Sequence, residues 1–197
     1  LDLDGHLRWA KQLGGGLHGT EGYAIQCDAG GNVYTCGVFG DSVDFDPGVN
    51  TYWMRCIAYN HAFVSKLDSN GQFIWARQLG GGSFNDQATA QSLDIDDSGN
   101  VIIGGHFKGN GDFDPGTNTA YLQSNGQYDC FLLKLDNNGQ FVWTKRIGGL
   151  YSDYCYSVSI GVSGYIYTTG NFRGSVDFDP GIMTKQLTSA SVFASDL

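Results

Sequence analysis

The three copies of an Asp-x-Asp-Pro-Gly motif are the residues of this sequence best suited to chemistry. Their carboxylate pairs are Asp44 and Asp46, Asp112 and Asp114, and Asp177 and Asp179. Side chains two residues apart on an extended strand point to the same side, so each pair presents its carboxylates together and the phenylalanine between them points to the core. Ca²⁺ prefers roughly six to eight oxygen ligands, which carboxylates and turn carbonyls can provide. The motif therefore predicts either a calcium site or a turn whose backbone N–H groups are capped by the aspartates.

The turn of this motif contains all three prolines of the chain. Proline fixes φ at the first central position of a turn, and glycine tolerates positive φ at the second. Asp-Pro-Gly therefore predicts a type II turn. Because the motif recurs along the chain, we expect any site that it builds to stabilise the fold rather than to catalyse a reaction.

Aromatic residues that do not recur form a second set of candidates, because packing requirements repeat and ligand contacts need not. The candidates for ligand binding are Tyr52, Trp53, Tyr121, Tyr151 and Tyr154, and Tyr59 and Tyr128 lie in similar stretches. Exposed aromatic rings can stack on sugar rings or form a protein interface. The alternative is that they belong to loops that cover the edges of sheets.

Catalytic motifs are missing from the sequence. It contains no Gly-x-Ser-x-Gly, no His-Glu-x-x-His and no Cys-x-x-Cys. The four histidines fall at unrelated repeat positions, so we expect surface histidines. The five cysteines are also at non-equivalent positions, which favours small buried side chains over a repeated disulfide or metal framework. Glu21, the only glutamate, is the acid that a hydrolase would need, but a non-catalytic protein is the favoured interpretation.

Composition restricts the partners of the protein. The net charge of −9 argues against nucleic acid, whose phosphates are bound by Lys and Arg. No apolar run is long enough to predict a membrane-spanning helix. The sequence lacks an initial Met and begins within a repeat, which indicates a processed polypeptide or a part of a longer one.

The elements that must position these residues are three repeats of about 66 residues, at 1–66, 67–134 and 135–197. Each has an Asp-Gly or Asn-Gly pair between apolar runs, which predicts a tight hairpin with positive φ at both central residues. A strand with a tryptophan follows each hairpin, at Trp9, Trp75 and Trp143. Three further strands precede the next hairpin, with a short extra strand before the last of them. The third copy of that last strand is predicted at 191–197. The patterns predict an all-β protein with about four strands per repeat.

Four consecutive antiparallel strands per repeat, with glycine turns and one tryptophan, are typical of a β-propeller blade. The segment around Phe63, Lys66 and Trp75, followed by paired glycines and by Asp96-x-x-Gly-Asn, also resembles the bacterial seven-bladed β-propeller (SBBP-type) repeat in its Val-Asp-Phe-Asp-Pro-Gly variant. The resemblance covers nearly the whole chain. The sequence departs from the repeat pattern at Gly161 and Asp196. The resemblance implies an exported, surface or extracellular propeller, and it does not indicate a particular ligand.

Three blades are fewer than a propeller normally closes with. We therefore expect the partners to be flanking repeats of a longer chain or other copies of this chain, in a closed dimer or an open filament. The expected function is a secreted or cell-surface module with a structural, adhesive or protein-interaction role, which calcium stabilises. A carbohydrate-binding lectin and a filament subunit are alternatives, with a glycan or a surface protein as partner, and a hydrolase is less favoured.

Overall fold

A computed structural model describes residues 1–14, 19–57, 59–191 and 196–197. Every helix or strand assigned in this part of the chain is a β-strand, which confirms the all-β prediction. The strands are β1 (Thr20–Cys27), β2 (Val33–Phe39), β3 (Ser42–Asp44), β4 (Trp53–Arg55), β5 (His61–Leu67), β6 (Phe73–Leu79), β7 (Gln87–Ile95), β8 (Val101–Lys108), β9 (Asn110–Asp112), β10 (Tyr121–Gln123), β11 (Asp129–Leu135), β12 (Phe141–Ile147), β13 (Tyr154–Ile160), β14 (Ile166–Asn171), β15 (Ser175–Asp177) and β16 (Gln186–Thr188). No helix that could cross a membrane occurs among the described residues.

The strands form two similar four-stranded antiparallel sheets and the beginning of a third. The first sheet has the order β1-β2-β5-β6, the second has β7-β8-β11-β12, and β13 pairs with β14 in the third. The outer strands β6 and β12 lie beyond the predicted repeat boundaries at 66/67 and 134/135. The sheets are small and open, and no ring of sheets closes within the described part of the chain.

The strand predicted after the first hairpin is absent. Residues 7–13 have no strand assignment, and Gly14 makes only an isolated bridge to Asp44. The equivalent strands β6 and β12 pair with β5 and β11, which precede them in the chain. Among the described residues, the first strand is β1, which follows residues 7–13 in the chain. Of the strand predicted at 191–197, residues 192–195 lie outside the described part, while Asp196 bridges to Phe172.

The predicted extra strands are present as short two-stranded flaps beside the main sheets. They are β3–β4, β9–β10 and β15–β16. In the first flap, Phe45 is fully buried, as its motif predicts, and its ring packs 4.9 Å from Phe63 and 5.4 Å from Phe39, measured between centroids. Phe113 makes the same pair of contacts in the second flap, to Phe107 and Phe131. These aromatic triads attach the first two flaps to their sheets, and a single pair, Phe172 with Phe178, serves the third.

The predicted hairpin turns are tight, but their type differs from the expectation. Positive φ occurs at Gly71 and not at Asn70, and the same holds for the other Asp-Gly and Asn-Gly pairs. The backbone N–H of Gly71 donates to the carbonyl of Asp68, and the Asp68 carboxylate accepts N–H bonds from Asn70 and Gln72, both at 2.8 Å. Because the aspartate satisfies these donors, the turn needs only one left-handed residue.

The first strand of each sheet contains a β-bulge that brings its backbone close to a glycine on the second strand. The glycines are Gly37, Gly105 and Gly170. A Cβ at Gly37 would lie 1.8 Å from the Glu21 carbonyl oxygen, and the other two positions are equally close to backbone. A side chain at these positions is therefore incompatible with the bulge.

We expect Gly37→Ala to destabilise the protein by about 1–3 kcal/mol, because the added methyl group overpacks against a backbone oxygen that cannot move freely. Gly22→Ala is the matched control, since Gly22 faces Gly37 across the same pair of strands and its Cβ would meet only the Thr35 side chain at 3.7 Å. Urea denaturation measures both changes. Equal losses of stability in the two variants would contradict this account of the bulge.

Candidate functional site

The Asp-x-Asp-Pro-Gly motif closes the turn of each flap through its own carboxylates. In the first copy, Oδ1 of Asp44 accepts hydrogen bonds from the backbone N–H groups of Asp46 (3.0 Å) and Tyr52 (2.8 Å). Oδ1 of Asp46 accepts the N–H of Gly48 at 2.8 Å. One aspartate therefore spans the loop from end to end, and the other caps the bend within it.

The other two copies repeat this geometry closely. Asp112 accepts from Asp114 (3.1 Å) and Ala120 (2.8 Å), and Asp177 accepts from Asp179 (3.1 Å) and Lys185 (2.8 Å). The donors at the far end of the loop are Tyr52, Ala120 and Lys185, which differ in type. These bonds therefore depend on the backbone path and on the aspartate. The motif is thus a loop-closing device whose remaining loop residues can vary.

The type II turn predicted for Asp-Pro-Gly is wrong. The motif glycines do not have positive φ in any of the three copies. A Cβ at Gly48 would lie 2.9 Å from Oδ1 of Asp46, and Gly116 and Gly181 are in the same position relative to Asp114 and Asp179. Glycine leaves room for the capping carboxylate, which approaches the backbone closely at this position.

The capping bonds bear on the calcium hypothesis. One oxygen of each motif carboxylate already accepts backbone N–H groups, and two carboxylates supply few of the oxygens that Ca²⁺ requires. In the described part of the chain, the three-residue group of possible metal ligands is Asp2, Asp4 and His6, all exposed, and no motif aspartate belongs to it. The geometry supports the cap interpretation directly, and a calcium site stays a prediction.

Two of the three repeat tryptophans, Trp9 and Trp75, contact the hairpin of the next repeat. The indole N–H of Trp75 donates to the carbonyl of Asn137 at 3.1 Å, and its ring lies over Gly139, where a Cβ would be 3.0 Å away. Trp9 makes the same bond to Ser69, at 3.0 Å, and covers Gly71. The tryptophan packing anchors predicted from the repeats therefore act between repeats.

A buried polar cluster strengthens the junction of the first two sheets. Lys66 is only 5% exposed, and its ammonium group donates to the Asn137 side chain and lies 3.8 Å from Asp28. The Tyr34 hydroxyl lies 3.2 Å from the Asp28 carboxylate and 3.1 Å from the Asn137 side-chain oxygen. Burial lowers the pKa of Lys66, and Asp28 opposes that shift. The Asn137 hairpin is thus held by both hydrogen bonds and charge.

The five aromatic candidates fall into two separate groups. Trp53 and Tyr121 are 59% and 56% exposed on their flaps, opposite the first aspartate of each motif, and Tyr52 packs on Phe73. Tyr151 and Tyr154 instead lie near the junction of the second and third sheets, where the Tyr151 ring covers Gly174. No described ring contact joins the two groups, so the structure does not unite them in one site.

Tyr154 belongs to an aromatic cluster that the sequence analysis did not identify. Its ring stacks between Tyr128 (5.6 Å between centroids) and Tyr156 (6.2 Å). The ring of His106 meets Tyr154 edge-on at 4.8 Å, and Asn171 donates to the Tyr156 hydroxyl at 3.0 Å. The sequence contains one indication of this cluster. His106 and Asn171 occupy the same position of the repeat, where the first repeat has Val38.

The expectation of surface histidines is correct only for His6. His61 is fully buried beside Gln78, and His106 is largely enclosed, because both lie on inner strands of their sheets. Burial lowers the pKa of His61 and lowers that of His106 to about 4. His18 lies outside the described residues.

The cysteine expectation is confirmed for Cys36, Cys56 and Cys155, which are buried. Cys130 is half-buried and Cys27 is exposed on β1, where the expectation is wrong. Burial raises the pKa of the Cys36 thiol to about 12 and that of Cys155 to about 11, so neither forms a thiolate nucleophile at neutral pH.

The chain is similar in sequence to parts of two much longer proteins. No protein-family model matches it. It is 29% identical over 156 residues to the regulatory protein FlaEY of Caulobacter vibrioides, covering 77% of this chain and 16% of that protein. It is 21% identical over 123 residues to an uncharacterized WD repeat-containing protein, L264, of Acanthamoeba polyphaga mimivirus, covering 55% of this chain and 9% of that protein. Together with the all-β structure, these similarities support a repetitive β-fold.

Two substitutions of Asp112 separate the cap from a calcium ligand. Asp112→Ala removes the acceptor of two backbone N–H groups and is expected to cost about 1–3 kcal/mol of stability. Asp112→Asn keeps an oxygen in the same place and loses the charge, so its stability should stay near that of the wild type. Thermal unfolding with calcium and with a chelator measures both. A calcium-dependent rise in Tm that Asp112→Asn abolishes would instead establish the metal site.

The lowered pKa of His106 predicts a loss of stability in acid. Between about pH 6.5 and 4, His106 is neutral in the folded state and protonated in the unfolded state, so a fall in pH favours unfolding. The free energy of unfolding should therefore fall by about 1–2 kcal/mol more between pH 7 and pH 5 in the wild type than in His106→Asn. Asparagine occupies the equivalent position 171, which makes it a suitable replacement. Identical pH profiles would contradict the prediction.

Proposed function

We propose that this chain is a segment of a β-propeller and acts as a non-catalytic interaction module. The observation that carries the proposal is the repeated docking of one hairpin on the tryptophan of the preceding repeat. It occurs at Trp9 with Ser69 and at Trp75 with Asn137, with nearly the same N–O distance. Because this contact recurs with the same geometry, it can also position a further repeat beside the last one. The blades of a β-propeller are arranged by such repetition of one contact between neighbours.

The sheets and the relatives support the propeller. Successive four-stranded antiparallel sheets share one hydrophobic core, which includes Val64 of the first sheet and Leu133 of the second. WD repeats form propeller blades, and one relative carries that description in its name. The other is named a regulatory protein, and neither name describes an enzyme. A binding role is therefore the function that these similarities favour.

We expect further repeats of the same kind to cover the surfaces around Trp143 and the first hairpin. These repeats belong either to a longer chain or to other copies of this one. Trp143 occupies the position of Trp9 and Trp75, and no described hairpin covers it as Asn137 covers Trp75. Conversely, the first hairpin is formed, with the Asp2 carboxylate accepting the N–H of His6 at 2.9 Å, and its residues are exposed. A second copy can place that hairpin on Trp143, which is the contact needed for a closed dimer or a filament.

A secreted or cell-surface location and an adhesive role complete the proposal. They rest on the resemblance to exported propeller repeats and on the exposed aromatic residues Trp53 and Tyr121 of the flaps. Calcium stabilisation remains part of the proposal, subject to the Asp112 substitutions.

Native mass spectrometry tests assembly through Trp143. The wild-type chain should form dimers or a ladder of oligomers, and Trp143→Ala should weaken association about thirtyfold, the effect of losing an anchor worth ~2 kcal/mol. Trp53→Ala, which removes an exposed flap tryptophan, is the matched control and should leave association unchanged. A monomeric wild type at micromolar concentrations, or equal effects of both substitutions, would reject assembly between copies.

A further inference from the structure

We propose that the tyrosine stack formed by Tyr128, Tyr154 and Tyr156, together with His106 and Asn171, binds a neutral pyranose sugar. This cluster lies at the junction of the second and third sheets, away from the tryptophan contacts between repeats. Tyr154 and Asn171 line one cavity with Val176 and Leu187 of the third flap. The proposal does not depend on the assembly of further repeats.

The rings are arranged so that parts of their faces stay accessible. The planes of Tyr154 and Tyr156 are nearly parallel, at 11°, but their centroids are 6.2 Å apart. Carbon atoms in contact are separated by about 3.5–4 Å, so rings at this spacing are displaced sideways or leave a gap. The 46% exposure of Tyr156 agrees with an uncovered surface. The C–H face of a sugar ring packs well on such a surface.

Polar groups beside the stack have capacity for hydrogen bonds that the described residues do not use. Nδ1 of His106 and Oδ1 of Asn171 are buried without a partner. Such atoms are costly unless they are satisfied, and in native proteins they call for an explanation. Both atoms have almost no accessible surface. A sugar hydroxyl, which both donates and accepts, satisfies either atom only when the imidazole or the amide turns toward the stack. The nearby Tyr128 hydroxyl is oriented by donating to Gln87 at 2.6 Å.

The fold does not require these residues. His106, Asn171 and Val38 occupy one position of the repeat, opposite Thr89, Tyr154 and Glu21 respectively. Val38 packs there with its side chain buried, so the position accepts a simple aliphatic residue. An imidazole and an amide at the same position are therefore explained better by a ligand than by packing.

The chemistry of the cluster selects an uncharged ligand rich in hydroxyl groups. Tyrosine, asparagine and glutamine side chains are neutral, and burial lowers the pKa of His106 to about 4, which keeps it neutral at physiological pH. An anion would meet no fixed positive charge within the cluster. A flat aromatic ligand could use the ring faces but would leave the two buried polar atoms unsatisfied. A pyranose satisfies both requirements.

Isothermal titration calorimetry with maltohexaose, cellohexaose and laminarihexaose tests the proposal on the intact chain. At least one of these neutral oligosaccharides should bind. Tyr156→Ala should weaken binding about tenfold, the effect of losing a ring contact worth about 1.4 kcal/mol. Asn171→Val should also weaken it and should remain folded, because Val38 is tolerated at the equivalent position.

Tyr23→Ala is the matched control. Tyr23 occupies the same bulge of the first sheet as Tyr156 does in the third, and it is similarly exposed, but its hydroxyl donates to Glu21 and its ring joins no stack. Binding that is unchanged in Tyr23→Ala and lost in Tyr156→Ala supports the site. The proposal is overturned if no oligosaccharide binds at millimolar concentration, if both tyrosine variants bind equally, or if indole competes more strongly than any sugar.

Discussion

The interaction on which this structure depends is the capping of backbone N–H groups by aspartate carboxylates. An all-β chain with short connections must satisfy many turn donors that no strand reaches. Asp68 does this in a hairpin between strands, and Asp44 does it across a flap. Most aspartates of the chain serve in this way, so the net charge of −9 is largely a consequence of how the turns are closed. The acidity therefore carries little information about a partner.

In the third repeat, Gly161 replaces the aspartate that the second repeat has at Asp96. The turn at this position is still formed, by backbone hydrogen bonds alone. At Gly161, the N–H donates to the carbonyl of Tyr165 at 2.9 Å, and Gly164 supplies the left-handed residue. The loop backbone is thus set by the position of glycine and by the strands on either side, and the carboxylate reinforces it. This hierarchy explains how the third repeat departs from the pattern without losing its hairpin.

Residues that recur in the repeats and residues that do not recur have different roles. Residues that recur, such as Trp75, Phe45 and Gly37, build the scaffold. Their contacts are found again at similar distances in at least one other repeat. Residues that do not recur, such as His106 and Asn171, occupy positions that the fold fills elsewhere with valine. Function-specific chemistry is most readily placed at such positions, because changing them leaves the scaffold intact.

The sequence by itself determined the strands, the hairpins and the burial of Phe45, because alternation, glycine position and repetition are local properties. It did not determine the turn types, since Asp46 and Asp68 satisfy donors that a purely backbone turn would leave open. Only the tertiary structure decided that residues 7–13 pair with no described strand and that Tyr154 stacks with Tyr128. Both outcomes depend on which segments meet in space, and residues far apart along a chain carry no local signal of their meeting.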